Sequence, residues 1–291
     1  MLQLWIVASQ AQTALIARYR PTLLKIANDL GLDLNLRALL TAALTYEPDA
    51  ISARYIANRI PYTSDAVPQS QLEQLAAKGF LNASNQTEFR LTDTGRAAAK
   101  QIYPVLDEMN SLDVLSRENL ARLAQLLNRV ADAFQRAPEP PSKWCVTRAR
   151  RLRIANAQSV SDIYFSLAEM NAYRDDCHLG AWRAQKLRGE AWEAFTLVWR
   201  GDAKNADELF EKLKLRGHIR DAYADALNDL AKRGWIEQKD GVYAATANGK
   251  KLREDVETQT DKNFYAAWNV LSDGEQKELE NLLIQFRDAL K

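Results

Sequence analysis

Internal repetition constrains this chain more than any other feature, because a duplicated segment exposes the unit that folds. Pro68–Leu81 realigns with Tyr223–Ile236 at an offset of about 155 positions, matching Leu72 to Leu227, Leu75 to Leu230 and Gly79 to Gly234. Leucines at helical spacing, a basic last turn (Lys78 in one copy, Lys232 and Arg233 in the other) and then glycine read as a helix with its C-terminal stop. Glycine suits that stop because it takes a positive φ without strain. Phe80-Leu81 and Trp235-Ile236 then begin strands.

The alignment continues with a one-residue shift, Glu88–Gly95 against Gly241–Gly249, and both stretches read as a second strand followed by a helix start. The hairpin loops are Asn82–Thr87 and Glu237–Asp240, the latter closed by Asp240-Gly241, which favours a tight two-residue turn. Thr92 and Thr246 precede helices expected to run unbroken to about Glu108 and Phe264. Leu115-Ser116 and Leu271-Ser272 open amphipathic helices, with Ser116 and Ser272 as N-caps and Glu275 completing a capping box with Ser272. Upstream, Leu36–Leu44 aligns with Ala191–Trp199, placing Leu40 opposite Phe195.

The order helix, winged helix-turn-helix, long helix and Leu-Ser-capped terminal helix resembles the MarR family, twice over nearly the whole chain. The resemblance implies a mainly α fold with small β-hairpin wings, its two winged-helix units packed through their first and last helices as an intramolecular pseudo-dimer. A monomer would then imitate a MarR dimer. The expected organisation is 1–137 for the first repeat, 138–156 for a Pro-rich then basic linker, and 157–291 for the second repeat. Two independent domains on a flexible joint are the alternative, disfavoured because amphipathic terminal helices need a partner for their apolar stripes.

By function, the resemblance implies a DNA-binding transcriptional regulator responsive to a small-molecule ligand. A helix-turn-helix places its second helix in the major groove of double-stranded DNA, where polar side chains reach base edges. Gln69, Ser70, Gln71 and Gln74 are the candidates in the first copy, with Arg90 beside the first wing and Arg220 at the start of the second recognition helix. No acid occurs between Glu139 and Asp162, so Arg148, Arg150, Arg151 and Arg153 are candidates for phosphate contact. A solvated, helix-capping charge run accounts for the same arginines. Two features depart from the family pattern. Asp221, Asp225 and Asp229 would face phosphate unfavourably, and neither wing carries the Asp-x-Arg motif whose arginine enters the minor groove in MarR regulators. With 39 basic and 38 acidic residues, no net field steers the chain toward polyanions.

A second class of function is a winged-helix scaffold that no longer reads DNA and binds or chemically processes a small molecule in the second repeat. Its seat is the helix from Ser161 to Leu187, which contains Tyr173-Arg-Asp-Asp-Cys-His-Leu179 where the first copy has Tyr19-Arg-Pro-Thr. Ile163, Leu167, Met170, Cys177 and Ala181 form one stripe, with Arg174 inside it and His178 at its edge. A buried guanidinium needs a carboxylate, a bound anion or a water-filled pocket. Arg174, Asp175, His178, Tyr164, Trp182 and Trp199 are therefore candidates to line a site for an aromatic or anionic ligand. A structural ion pair with ordinary aromatic packing accounts for the same pattern. One histidine and one aspartate specify no reaction.

Cys145 and Cys177 form no CxxC pair and the only other histidine is His218, so neither a disulfide framework nor a zinc module is encoded. No P-loop or Rossmann glycine pattern points to a cofactor. The expected protein is cytoplasmic, since no run approaches a membrane span and Met1–Ala8 lacks a basic n-region.

Overall fold

The computed structural model of the chain describes residues 2–154 and 159–291. Its elements are α1 (Leu2–Asp29), α2 (Leu34–Ala43), a 3-10 turn at Leu44–Tyr46, β1 (Ile51–Ser52), α3 (Ala53–Ile56), α4 (Ala66–Ala77), β2 (Leu81–Ala83), β3 (Glu88–Leu91), α5 (Asp93–Lys100), α6 (Ile102–Met109) and α7 (Arg117–Arg136). After α8 (Trp144–Arg150) come α9 (Ser159–Arg183), α10 (Gly189–Arg200), α11 (Ala206–Leu213), a 3-10 turn at Lys214–Arg216, α12 (Arg220–Lys232), β4 (Ile236–Lys239), β5 (Val242–Ala245), α13 (Ala247–Ala266), a 3-10 turn at Ala267–Val270 and α14 (Asp273–Ala289). The fold is mainly α, with a sheet of order β1-β3-β2 and a separate β4-β5 hairpin.

Local chemistry sets the same junction in both halves. Thr92 Oγ1 accepts the Gly95 N–H at 2.9 Å and donates to Gly79 O at 2.8 Å. Thr246 Oγ1 accepts the Gly249 N–H at 3.1 Å and donates to Gly234 O at 2.7 Å. Each threonine thus caps the helix after the hairpin and ties it to the glycine that ends the helix before it. A Cβ at Gly95 would lie 1.9 Å from Phe80 O, and one at Gly249 1.9 Å from Trp235 O, so the crossing leaves room for glycine alone. The hairpins pair Leu81 with Leu91 and Ile236 with Ala245. Asp240 and Gly241 have φ of 51° and 78°, the double positive φ of a twist-matched turn. Ser116 and Ser272 cap α7 and α14, and Glu275 completes the capping box.

One expectation needs correction. The helix after the first hairpin breaks after Lys100, because Pro104 has no N–H to offer the Lys100 carbonyl; α6 restarts with Pro104 in its first turn, where no intrahelical donor is required. The proline-free counterpart, α13, runs unbroken. The segment read as a basic linker contains α8, whose first N–H groups, from Cys145 and Val146, both donate to the Asp176 carboxylate at 2.9 Å.

The chain divides into two compact units interleaved in sequence: Met1–Ile51, Glu73–Asp176 and Asn263–Lys291 form one, Ser52–Leu72 and Cys177–Lys262 the other. In the first, α1 packs on α14 and α6, and α7 packs on α14. Leu15, Leu123, Leu126, Phe134, Phe264, Trp268, Leu283 and Phe286 fill its core. Arg122 bonds Glu278 through Nε and Nη2 at 2.9 and 2.7 Å, and Arg129 bonds Glu275, both tying α7 to α14. In the second, α10 and α11 pack on α12 over Phe195, Leu209, Leu227 and Leu230. Both cysteines are buried and neither forms a disulfide. Among the described residues no helix is long and apolar enough to cross a membrane.

Candidate functional site

A helix, a turn, a second helix and a hairpin follow one another in the second unit. Asn205 caps α11 by accepting the Glu208 N–H at 2.9 Å, and the chain then turns through Lys214–Arg216 and Gly217 into α12. Tyr223, Ala226, Leu227 and Leu230 anchor α12; Arg220, Asp221, Asp225, Asn228 and Lys232 face outward. Arg220 pairs with Asp207 of α11, Nη2 to Oδ2 at 3.2 Å, which holds the Asp207 carboxyl below its ordinary range. Arg233 pairs with Asp229 at 3.0 Å. The exposed surface of α12 therefore carries cations at its ends and carboxylates between them.

The turn ahead of α12 receives the segment ahead of α4, which belongs to the same unit. Ser64 N donates to Arg216 O at 2.8 Å, and His218 Nε2 lies 3.0 Å from Tyr62 O. Arg216 is locked by a forked bond to Glu193, Nε at 3.0 Å and Nη2 at 2.6 Å. Arg183 donates to Asn58 O at 2.9 Å, and a Cβ at Gly189 would lie 1.9 Å from Pro61 O. The first turns of α4 and α12 are consequently neighbours. Gln69 and Gln71 are half-buried, whereas Ser70 and Gln74 are exposed. With only four residues in α3, α4 lacks a full leading helix.

In the first unit, the basic segment is bound to the chain itself. The Arg148 guanidinium stacks over Trp144 and Tyr46, 3.8 and 4.1 Å from their ring centres, and donates to Thr45 O at 3.0 Å. Arg151 donates to Thr45 O and Glu47 O at 2.9 and 3.2 Å. Arg150 bonds Asp132 at 2.8 Å and Glu169 at 2.6 Å; Arg153 bonds Glu169 at 2.9 Å and Ser166 at 3.0 Å. Arg90 donates to Pro48 O. Glu169, 0% exposed, is the anion that organises Arg150 and Arg153 and went unread in the sequence. The legible signal was spacing: Ser166, Glu169, Tyr173 and Asp176 form one polar stripe on α9.

The six candidate ligand residues fall into three surroundings. Arg174 lies over the rings of Trp5 and Phe264 at 5.0 and 5.2 Å, and Asp175 follows it in the first unit. In the second unit, His178 Nδ1 lies 3.5 Å from Thr260 Oγ1 and 3.9 Å from Glu257 Oε1, and Trp182 stacks on Trp192 at 5.6 Å. Arg253, 4% exposed, sits over Trp192 and Trp199 at 4.7 and 5.2 Å and bonds Glu257 at 2.7 Å. That aromatic cluster thus holds a cation of the protein's own, which burial makes easier to deprotonate than a free arginine. Tyr164 meets Tyr19 edge-on at 5.8 Å in the first unit, beside Arg37. No group of His, Cys, Asp and Glu that could hold a metal occurs among the described residues.

Residues 170–291 match a helix-turn-helix family, so the α11–turn–α12–hairpin segment lies within a helix-turn-helix domain. Comparison with curated proteins and with solved structures gave no match.

Proposed function

We propose that this protein is a MarR-like, ligand-responsive transcriptional regulator, a cytoplasmic monomer whose tandem winged-helix repeats bind double-stranded DNA. The helix-turn-helix match over 170–291, with α11, α12 and the β4-β5 wing in sequence, is the observation that carries this reading. Duplication is supported by the matched junctions at Thr92 and Thr246 and at Gly95 and Gly249. Packing of α1 on α14 and the α7–α14 ion pairs support joined first and last helices of the two repeats. Ser70, Gln74 and Lys78 of the first copy and Arg220, Lys232 and Lys239 of the second are the contacts offered to DNA. Arg150 and Arg153 stay out of the interface, because engaging phosphate would strip buried Glu169 of its cations.

Gel-shift titration with promoter fragments from the protein's own locus, between 50 and 200 mM salt in round terms, tests this. Each phosphate contact contributes about 0.9 to the slope of log K against log salt. Arg220→Ala, Lys232→Ala and Lys239→Ala should flatten the slope, and Arg148→Ala should leave it unchanged. A second reading, a scaffold that no longer reads DNA, is favoured by the outward Asp221 and Asp225. Absence of binding at the lowest salt would select it.

A further inference from the structure

Leu215 and Ile219 are the two most exposed large apolar side chains among the described residues, 87% and 70% exposed. They flank Gly217 in the second unit, Leu215 within the turn Lys214–Arg216 and Ile219 directly before α12. The unit takes its core from their neighbours, since Leu213 and Tyr223 are buried. Ile219 occupies the N-cap of α12 and offers it no side-chain hydrogen bond, whereas Asn205 caps α11 through Oδ1. Ser, Thr, Asn or Asp in that place would stabilise the helix, so this isoleucine serves neither the core nor the cap. Its surroundings are positive. No acid occurs between Glu211 and Asp221, and Lys212, Lys214 and Arg220 are exposed there. The two lysines enter no ion pair among the described residues.

Aliphatic side chains set among lysines suit a protein partner poorly, because lysine is depleted from protein–protein interfaces. Duplex DNA has the matching pattern: phosphates along the rims of the major groove and, on its floor, an apolar group in the C5-methyl of thymine. A helix-turn-helix brings the first residues of its second helix to that floor. We propose that Ile219, backed by Leu215, reads thymine by covering its C5-methyl group while Lys212 and Lys214 engage the flanking phosphates. The inference rests on the DNA-binding reading above and adds to it a base class and an apolar means of discrimination. Asp221 and Asp225, exposed further along α12, repel phosphate and confine the contact to the start of the helix. The alignment of Pro68 with Tyr223 places Ser64 opposite Ile219, so the second copy alone has the device.

Promoter fragments from the protein's own locus, amplified once with dTTP and once with dUTP, share sequence and charge and differ in the thymine methyl. Gel-shift titration of the full chain should give a Kd about fourfold lower on the thymine fragment for each methyl covered, the worth of one buried methylene. Ile219→Ser should abolish that ratio while raising Tm by about 2 °C, because serine caps α12. Leu215→Ala should reduce the ratio, and Lys214→Ala should keep it while flattening the salt dependence. Equal Kd values on the two fragments, or a ratio that Ile219→Ser preserves, overturn the inference and leave DNA binding standing. Retardation of neither fragment at the lowest salt overturns both. Co-sedimentation with vesicles of equimolar phosphatidylserine and phosphatidylcholine, lost in Ile219→Ser and unaccompanied by any thymine preference, overturns the inference in favour of an anionic lipid surface.

Discussion

Gly217 has a φ of +72°, and the Cβ it lacks would lie 2.4 Å from Val67 Cγ2. That single approach joins the turn before α12 to the first turn of α4, and it makes Gly217 doubly constrained, by backbone hand and by space. Gly217→Ala should destabilise the protein by about 2 kcal/mol, the left-handed backbone and the overlap both contributing. Adding Val67→Ala should recover the overlap part only, a coupling that a double-mutant melting cycle measures. Additive losses would mean that the two residues do not touch.

Glu169 is a buried carboxylate shared by Arg150 and Arg153. Glu169→Gln should cost about 3 kcal/mol by urea unfolding, since Arg150 keeps only Asp132 as counter-charge and Arg153 only Asp162, 4.0 Å away. Arg151, which among the described residues bonds only backbone carbonyls, is the control: Arg151→Ala should cost about 1 kcal/mol. Similar losses from both would assign the basic segment no charge-specific role.

The Arg253 guanidinium between Trp192 and Trp199 should quench and blue-shift their fluorescence environment by closing it to water. Arg253→Ala should red-shift the emission and cost about 2 kcal/mol, the upper range for a desolvated cation–π contact. An unchanged spectrum would separate the arginine from the tryptophans.

Hydrogen bonding from Arg129, then from Ser272, pulls the Glu275 carboxyl down to about 2 from its ordinary 4.5. A depressed folded-state value means the stabilisation is complete above pH 4.5 and lost as pH falls through 2. The gap in Tm between wild type and Glu275→Gln should hold steady from pH 7 to 5 and close toward pH 2. A gap that survives at pH 2 would place its cause outside ionisation.

Much of the secondary structure was legible because its signals are local. Ser116, Ser272, Thr92 and Thr246 act on N–H groups three residues away, Gly79 and Gly234 end the helices they follow, and Asp240-Gly241 turns its own hairpin. The break at Lys100 was readable too, from Pro104, had the missing donor been counted against its acceptor.

The partners of the charges were not legible. Sequence established that an arginine on an apolar face must find an anion, an aromatic surface or water; it could not establish which arginine meets which. Arg174 found the rings of Trp5 and Phe264, Arg253 found Trp192 and Trp199, Arg150 and Arg153 found Glu169, and the fork of Arg37 found no carboxylate. The physical reason is range. Capping, turn geometry and helical period act within a few residues and are written in order along the chain, so the sequence by itself determined the elements and their succession. Pairing of buried charges is decided by which segments burial brings together, and Arg122 to Glu278 or Ser64 to Arg216 spans half the chain, so only the tertiary structure could decide it.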